Sequence, residues 1–597
     1  MRRTQHPAMP RTRGERASAS DIMRATFTSP LALAKLVVAM LFLNAALSFN
    51  NWWPTFAVVP DARLAPEFVL LWVFLLLTVH FRGSVSNRLI GGLAAVYLLY
   101  VIGRYADVTA PALFGREINL YWDGAQLPRF LWVTARDGSV WHALGIVAAA
   151  LLALWGLYRI LRAAIAIVAH DAVPRAIHSR IGLGLTGVAV ALAVANTAGV
   201  RATWPVISRP VTPSLVKQGV ILRDALSPVR LAAALPTSPG FKSDLAALAG
   251  SDVELFFLES YGAFVFDNAA AHDTLAASRA ALAGAIASAG RWVVSAFVRS
   301  PTFGGASDLA HLSLLTGIDL SDPVRHHLLL ASDRPTLIRH FESCGYETYG
   351  FYPALSWEWP ERAFYGYDHF LEARGLGYRG PDFGYWKIPD QYSIARFHEL
   401  NPEHADSPPR FLFFATINTH APFRPLPPYQ PDWSKVLSAQ PYAPADVARA
   451  LADRSDWTDL RAPYIRSIAY NYRWLAGYIA QPRRRDFLLI LIGDHQPMGA
   501  VTGEGASWDV PVHIIGTNAA LRERLVAAGF RPGIEPKHPR LGGMHELTPL
   551  LLKAFDGHGG ATLARTSDGM GSDARRQSGR CGPVQARGRD QQAALGR

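Results

Sequence analysis

The sequence predicts a multi-span α-helical membrane domain followed by an α/β domain in which a mostly parallel sheet is sandwiched by helices. Three observations carry this. Five apolar stretches, at about 33–49, 67–81, 89–103, 141–158 and 181–199, each come near the length a bilayer demands. From residue 252 onward, short apolar strand patterns alternate with helical ones, the signature of a parallel sheet with helices on both faces. Two of those strands run directly into metal-binding side chains: DVELFFLESYG delivers Glu259, and FLLILIGDHQP delivers Asp494 and His495. Ligands in such sheets gather outside the carboxyl ends of the strands.

Composition agrees. A chain of 597 residues that is 50% hydrophobic, with a mean hydropathy of +0.11, is too apolar and too long for one soluble domain. Residues 1–30 carry Arg2, Arg3, Arg11, Arg13, Arg16 and Arg24, a positive charge that holds the N-terminus in the cytoplasm. The twin arginine at the start is not followed directly by an apolar run, so it reads as retention charge and not as an export signal. Residues 31–200 form the membrane domain of about five transmembrane helices. Arg82 and Arg88 lie in the turn after the second stretch, and Arg159, Arg162, Arg175 and Arg180 in a loop after the fourth. Both are expected inside, and an odd number of spans then exports everything after residue 200 to the periplasm or cell exterior.

Residues 201–248, with Pro205, Pro210, Pro213, Pro228, Pro236 and Pro239, read as a linker. The catalytic domain occupies 249–563, with strands at 253–258, 292–297, 346–351, 411–416, 487–492 and 511–515. Its helices fall near 273–289, 308–315, 335–342, 460–480 and 546–555. The tail, 564–597, is rich in Arg, Gly, Ser and Gln and is expected to be disordered. Much of the net charge of +12 sits at the two ends, and no nucleic-acid module accompanies it, so nucleic acid is not an expected partner. Cys344 and Cys581 lie far apart; no disulfide is expected, and Cys344 reads as a small core residue.

The chemistry falls in four loops. Besides Glu259 and the Asp494 and His495 pair, SPTFGGASDLAHLSLLTG turns tightly at Gly304 and Gly305 and starts a helix at Ser307. A helix N-terminus offers free N–H groups to a phosphate, although a serine there can equally be a cap. Near a metal the same hydroxyl becomes a nucleophile. FLFFATINTHAPF ends in His420, placed for a substrate or leaving-group role. Glu259, Ser307, Asp494 and His495 make a mixed oxygen and nitrogen set for one divalent ion, Mn or Zn, which this donor set does not distinguish.

The order ESYG, Gly-rich hydroxyl loop, NTHAPF, GDHQP resembles the alkaline-phosphatase/sulfatase superfamily. It is most similar to the membrane-anchored lipoteichoic-acid-synthase-like and phosphoethanolamine-transferase-like branch, over about residues 250–556. The resemblance implies that Glu259, Asp494 and His495 are metal ligands, Ser307 the nucleophile and His420 a substrate contact. WEWPERAFYGYDHF resembles the head-group region, which makes Trp359 and Arg362 candidates, and GGMHELTPLL the closing segment, which makes His545 one.

Two departures matter. That branch uses threonine as nucleophile, so Thr302 stands as the alternative to Ser307; the formylglycine sulfatases need Cys or Ser followed by x-Pro-x-Arg, and SDLAH lacks it. The resemblance implies an inner-membrane transferase that moves phosphoglycerol or phosphoethanolamine from a phospholipid donor to an envelope glycan or lipid acceptor through a phosphoserine. The alternatives are a phosphodiesterase, phosphatase or sulfuric-ester hydrolase of the same superfamily, and a retired membrane scaffold or sensor. The last would have lost a ligand, and none of the four is missing.

Overall fold

The computed structural model describes residues 30–557 except 138–139, 201–202, 204, 228–234, 323, 357–358, 360, 405 and 455, together with Cys581. The Arg-rich N-terminal segment and, apart from Cys581, the tail lie outside the described residues. The chain forms two compact units. One contains the residues up to Asn50 with 59–105 and 131–216; the other contains 51–58, 106–130 and everything from Lys217 on. Segment 106–130, which precedes the boundary drawn from sequence at residue 200, therefore belongs with the catalytic residues.

The membrane part follows the apolar stretches, with α1 (Pro30–Ser48), α2 (Pro66–Arg82), α3 (Asn87–Phe114), α4 (Val140–Ile177) and α5 (Arg180–Thr197). Four of them, α1, α3, α4 and α5, are long and apolar enough to cross a membrane. The fifth, α2, has 17 residues, about 25 Å of helix against a hydrocarbon core of ~30 Å. The expected count of about five thus becomes four and one short helix. The expected loop after the fourth stretch is also corrected. The helix continues through a π turn, and past Pro174 placed at the start of the turn that follows, to Ile177, so Arg159, Arg162 and Arg175 lie on α4.

Helix ends have local causes. Gly83 at φ 75° terminates α2 by sending its N–H back to Val79 O, and Ser179 Oγ caps α5 by accepting from Gly182 N at 3.1 Å. Along α5 no residue is buried, and Ile181 and Leu185 stand out as the apolar surface that lipid would cover.

The catalytic unit is built on an eight-stranded sheet. Its strands are β1 (Asp252–Leu258), β2 (Trp292–Arg299), β3 (Glu347–Tyr352), β4 (His369–Glu372), β5 (Arg410–Ala415), β6 (Phe487–Gly493), β7 (Asp509–Gly516) and β8 (Arg531–Pro532), in the order β8-β2-β7-β6-β1-β5-β3-β4. Strands β6, β1, β5, β3 and β4 are parallel neighbours. β7 runs against both β6 and β2, so β2 points the same way as the parallel core. The carboxyl ends of β1, β2, β5 and β6 consequently open at one edge, and all four motif loops leave from it.

All seven residues of β1 are buried, with helices on both faces. Val253, Leu255 and Phe257 pack toward α7 (Ser307–Thr316) and α10 (Met544–Phe555). Phe256 and Leu258 face α6 (Ala269–Ser288) and α9 (Arg461–Ile479). Between β3 and β5 lies α8 (Asp390–Leu400), which the sequence reading did not identify.

Cys344 is bonded to Cys581 across 237 residues of sequence, which corrects the expectation of no disulfide. Separation along the chain does not fix separation in space, and a tail too polar to build a core can still place one thiol.

Candidate active site

Glycine lets the two ligand-bearing strand ends meet. A Cβ on Gly493 would lie 1.8 Å from Tyr261 O, and one on Gly262 1.9 Å from Gln496 Oε1, so the backbones after β1 and β6 approach as no other residue would allow. The loop before Ser307 is held as closely. Gly304 and Gly115 admit no side chain against Phe114 O and the Phe303 ring, and Gly499 packs on Pro111 O and Ala112 O. Segment 106–130 thus buttresses both the Ser307 loop and the turn after His495.

At the sheet edge the structure brings Glu259, Asp494 and His495 together, with one potential ligand atom from each within 4.8 Å of the others. Asp494 is fixed by two backbone donors to Oδ1, Ser260 N at 2.8 Å and His495 N at 2.7 Å, which leaves Oδ2 turned to the centre, 3.5 Å from His495 Nε2. Ser260 Oγ donates to Glu259 Oε1 at 2.8 Å, and Thr416 Oγ1 accepts from Glu259 N at 3.0 Å. His495 Nδ1 lies 2.8 Å from Gln496 O; that carbonyl can only accept, so Nδ1 carries the proton and Nε2 presents a lone pair.

Burial, and next the Asp494 carboxylate beside it, hold the Glu259 carboxyl well above its ordinary range. Among the described residues no lysine or arginine forms an ion pair with either acid. The buried Asp494 carboxylate, the part-buried Glu259 carboxylate and an imidazole lone pair, converging with no lysine or arginine between them, fit a divalent cation of the Zn or Mn type.

Ser307 opens α7, and the N-cap position belongs to Ala306, in the left-handed region at φ 62°. The serine is therefore not the cap. Its Oγ lies 3.3 Å from His495 Nε2 and 3.4 Å from Glu259 Oε2, at the positive end of a 10-residue helix. Thr302 is buried, and its hydroxyl donates to Gly305 O at 2.6 Å, which removes it from the centre.

His420 sits in the loop after β5, tied to the centre through Thr419, whose hydroxyl donates to Glu259 O. Its ring stacks on Tyr385 at 4.8 Å and meets Trp386 edge-on at 5.5 Å. Desolvation pulls its pKa down to about 4, so the imidazole is neutral at neutral pH, with Nδ1 toward Ala421 O at 2.7 Å. Trp359 packs against Tyr352 and Tyr365. Arg362, by contrast, is exposed and lies over the Phe370 ring at 5.3 Å. His545 is in the first turn of α10, beside Gly543, which bridges to Arg299 at the end of β2.

Sequence reasoning missed the residues that hold the ligands. Ser260 is next to Glu259 in ESYG, Thr416 and Thr419 precede His420, and Ser300 donates to Asp494 O at 2.5 Å. It also missed His311, one helical turn beyond Ser307, buried against Phe257 with its pKa lowered to about 4 by desolvation. The spacing of four from Ser307 was the available signal.

Residues 292–522 match the sulfatase family. That span contains Ser307, His420, Asp494 and His495; Glu259, just past the end of β1, precedes it. No curated protein sequence matches the chain. Among solved structures, the lipoteichoic acid synthase LtaP from Listeria monocytogenes is 12% identical, over 50% of this chain and 70% of that one, with a TM-score of 0.31. The periplasmic domain of EptC from Escherichia coli in complex with Zn is 12% identical, over 53% and 84%, with a TM-score of 0.32. The phosphoglycerol transferase GacH from Streptococcus pyogenes in complex with sn-glycerol-1-phosphate is 12% identical, over 59% and 88%, with a TM-score of 0.31. Likeness at this level is no basis for a substrate.

Proposed function

We propose that the chain, whose residues 292–522 match the sulfatase family, is a membrane-anchored, metal-dependent transferase of the alkaline-phosphatase superfamily. It moves a phospho-alcohol group, of the phosphoglycerol or phosphoethanolamine kind, from a phospholipid donor to an envelope glycan or lipid acceptor. The observation that carries this is the position of Ser307 Oγ, between Glu259 and His495 at the start of α7. Four apolar helices anchor the protein where a lipid donor is within reach.

Glu259, Asp494 and His495 would hold the cation, which when bound supplies charge neutralisation and Lewis acidity at the phosphoryl group. Ser307 Oγ attacks phosphorus, the Oγ–P bond forms, and the bond from phosphorus to the lipid alcohol breaks. The hydroxyl proton passes by way of water to the departing lipid alkoxide, which leaves as the neutral alcohol. The N–H groups of the first turn of α7 receive the phosphoryl oxygens. In the second step the acceptor oxygen bonds to phosphorus, the Oγ–P bond breaks, and the proton that the acceptor hydroxyl gives up restores the Ser307 hydroxyl. A neutral His420 with its proton on Nδ1 offers Nε2 as a base toward the incoming hydroxyl, in place of the acid role that sequence suggested for the first step.

The absence of Pro and Arg after Ser307, where the chain reads SDLAH, argues against sulfate-ester cleavage by the formylglycine route. Incubation with phospholipid and no acceptor should add the head-group phosphate to the peptide spanning 301–317. The adduct should be absent in Ser307→Ala and present in Thr302→Ala; mapping to Thr302 refutes the nucleophile, and hydrolysis without any adduct refutes the transferase.

The same reading places the catalytic unit on the periplasmic side of the inner membrane, which requires α2 to span. A reporter active only outside the cytoplasm, fused after residue 240, should then be active, and one fused within 163–178 silent. Reversed signals, silent after residue 240 and active within 163–178, would show that α2 does not cross.

A further inference from the structure

The turn that precedes α8 carries two aromatic rings to the His420 loop. Phe383 N donates to Lys387 O at 3.0 Å, and the two residues bridge as the feet of a short hairpin. Phe383 is buried, while Lys387 is held at φ 73°, a conformation that favours glycine. Strain of this kind collects where a fold must place particular side chains. The exit of the turn is tied to the same loop: Asn418, two residues before His420, donates through Nδ2 to Ile388 O at 3.1 Å and accepts from Asp390 N at 2.6 Å.

The rings so placed are Tyr385 and Trp386. Tyr385 stacks on His420 at 4.8 Å, and Trp386 meets Tyr385 edge-on at 4.8 Å and His420 at 5.5 Å. Three nearly equal separations put Trp386 beside the stack, so neither neighbour covers the outer face of Tyr385, a residue 39% exposed. The exposed ion pair of Lys387 with Asp382, at 3.3 Å, flanks this corner. His420 is half-buried, and its Nε2, the atom that meets the incoming hydroxyl, takes no hydrogen bond among the described residues.

An aromatic face with charged flanks suits an occupant that is apolar on one side and polar at its rim. A pyranose is such a body, since its ring C–H groups face the negative side of an aromatic ring while its hydroxyls stay in water. An acyl chain would instead desolvate the Lys387 and Asp382 charges. We propose that Tyr385, walled by Trp386, is a subsite for one sugar residue of a glycan acceptor. The Tyr385 ring lies between its outer face and His420, so the stacked sugar is not the one that reacts; its neighbour in the glycan brings a hydroxyl to Nε2. Stacking uses the exposed face alone and leaves the other contacts of both rings in place. Binding energy from the non-reacting sugar then orients the reacting one. This rests on the transferase reading above, and narrows its acceptor to a glycan of two or more residues.

The test uses the full chain in nanodiscs with Mn or Zn, with Ser307 labelled from phosphatidylglycerol or phosphatidylethanolamine. Discharge of the adduct is compared between glucose and cellotriose, and between N-acetylglucosamine and chitotriose. In at least one series the trisaccharide should act at least tenfold faster than its monosaccharide. Tyr385→Ala and Trp386→Ala should each reduce that ratio several-fold, and Tyr385→Phe should keep it. A ratio is readable even where a variant folds in lower yield, and rings that only held His420 in place would slow both acceptors alike. Equal rates in both series, or a ratio unchanged in Tyr385→Ala, overturns the subsite. Discharge by diacylglycerol that is faster than by either trisaccharide, and slowed in Tyr385→Ala, overturns it in favour of a lipid acceptor. Saturation transfer from the protein to the ring protons of the trisaccharides, lost in Tyr385→Ala, separates the two ideas. If it is seen while no lipid labels Ser307, the transferase reading fails and the sugar subsite stands; if it is not seen, the subsite fails.

Discussion

The two ends of β1 hold carboxylates under opposite rules. At its start, Asp252 meets Arg485 at 3.1 Å, and Glu254 meets Arg483 at 3.1 Å while also accepting from Tyr478 Oη at 2.8 Å. Just past its other end, Glu259 meets no basic side chain among the described residues; its neighbours are another acid, Asp494, and the lone pair of His495. All of these acids are buried or nearly so, and burial raises the pKa of Asp252, Glu254 and Glu259 alike. Where the fold needs a buried acid for itself, it supplies an arginine from its own sequence. Where it leaves two acids unmatched at a strand end, the counter-charge is one the chain does not encode.

The sharpest way to break this contrast is to remove a residue at each end. Asp494→Ala or His495→Ala should abolish stoichiometric metal and lower activity by about 10³-fold or more, at or beyond the loss of one transition-state donor. Compared as metal-free proteins, Asp494→Ala should change thermal stability little, since it relieves the like charge on Glu259 but leaves Ser260 N and His495 N without their acceptor. Metal analysis beside a melting curve reads both, and retained metal would show that the ligands are wrong. Arg483→Ala should do the reverse. It leaves Glu254 buried and unpaired, which costs about 3–5 kcal/mol of stability, while metal stoichiometry in the protein that folds stays at the wild-type value. Loss of metal in that variant would mean that the two ends are not independent.

Sequence made one end of β1 legible and hid the other. ESYG and GDHQP announce themselves because an apolar run stops abruptly at a ligand. The six strands read from sequence and the helix starting at Ser307 follow from the same alternation of patterns. Arg483 and Arg485 gave no such signal, lying in QPRRRD, a run that looks like a solvated turn. Their pairing with Glu254 and Asp252 exists only once β6 has paired with β1. Segment 106–130 was hidden for a related reason. Its mixed charges suit an outside loop, and only the close packing at Gly115, Gly304 and Gly499 reveals that it supports the site. Residues 163–177 were misjudged because hydropathy sets the presence of a helix better than its length.

Asp390 lies between the two regimes. It is fully buried, and its carboxylate receives only backbone donors, Ile417 N at 2.8 Å and Asn418 N at 3.0 Å, which tether the loop leading to His420. Desolvation outweighs those donors and pushes its pKa up to about 7, from an ordinary 3.8. In that window the native state holds a proton that the unfolded state has released, so stability falls as pH rises from about 4 to 7, by up to ~1.4 kcal/mol per unit. Above pH 7 the contribution is constant. Unfolding of the detergent-solubilised protein across this range should show the slope, and Asp390→Asn should flatten it. An equal slope in the variant would assign the titration to another group.

The smallest effect concerns backbone strain, which also favours the ligand end. Of the six described non-glycine residues with positive φ, three, Ser260 at 55°, Ala306 at 62° and Phe423 at 65°, lie within three residues of Glu259, Ser307 and His420. An alanine held in the left-handed region costs roughly 1 kcal/mol that a glycine does not incur. Ala306→Gly should therefore stabilise the fold by at most about 1 kcal/mol, part of it offset by the greater freedom glycine has when unfolded. If the strain serves only to turn the chain, labelling of Ser307 by lipid should be unchanged. If it fixes Oγ between His495 and Glu259, the labelling rate should fall several-fold while metal content stays constant, because a glycine permits the turn without enforcing it. A stabilised variant that labels more slowly would show that the rigidity of this turn, and not the ligand set alone, positions the nucleophile.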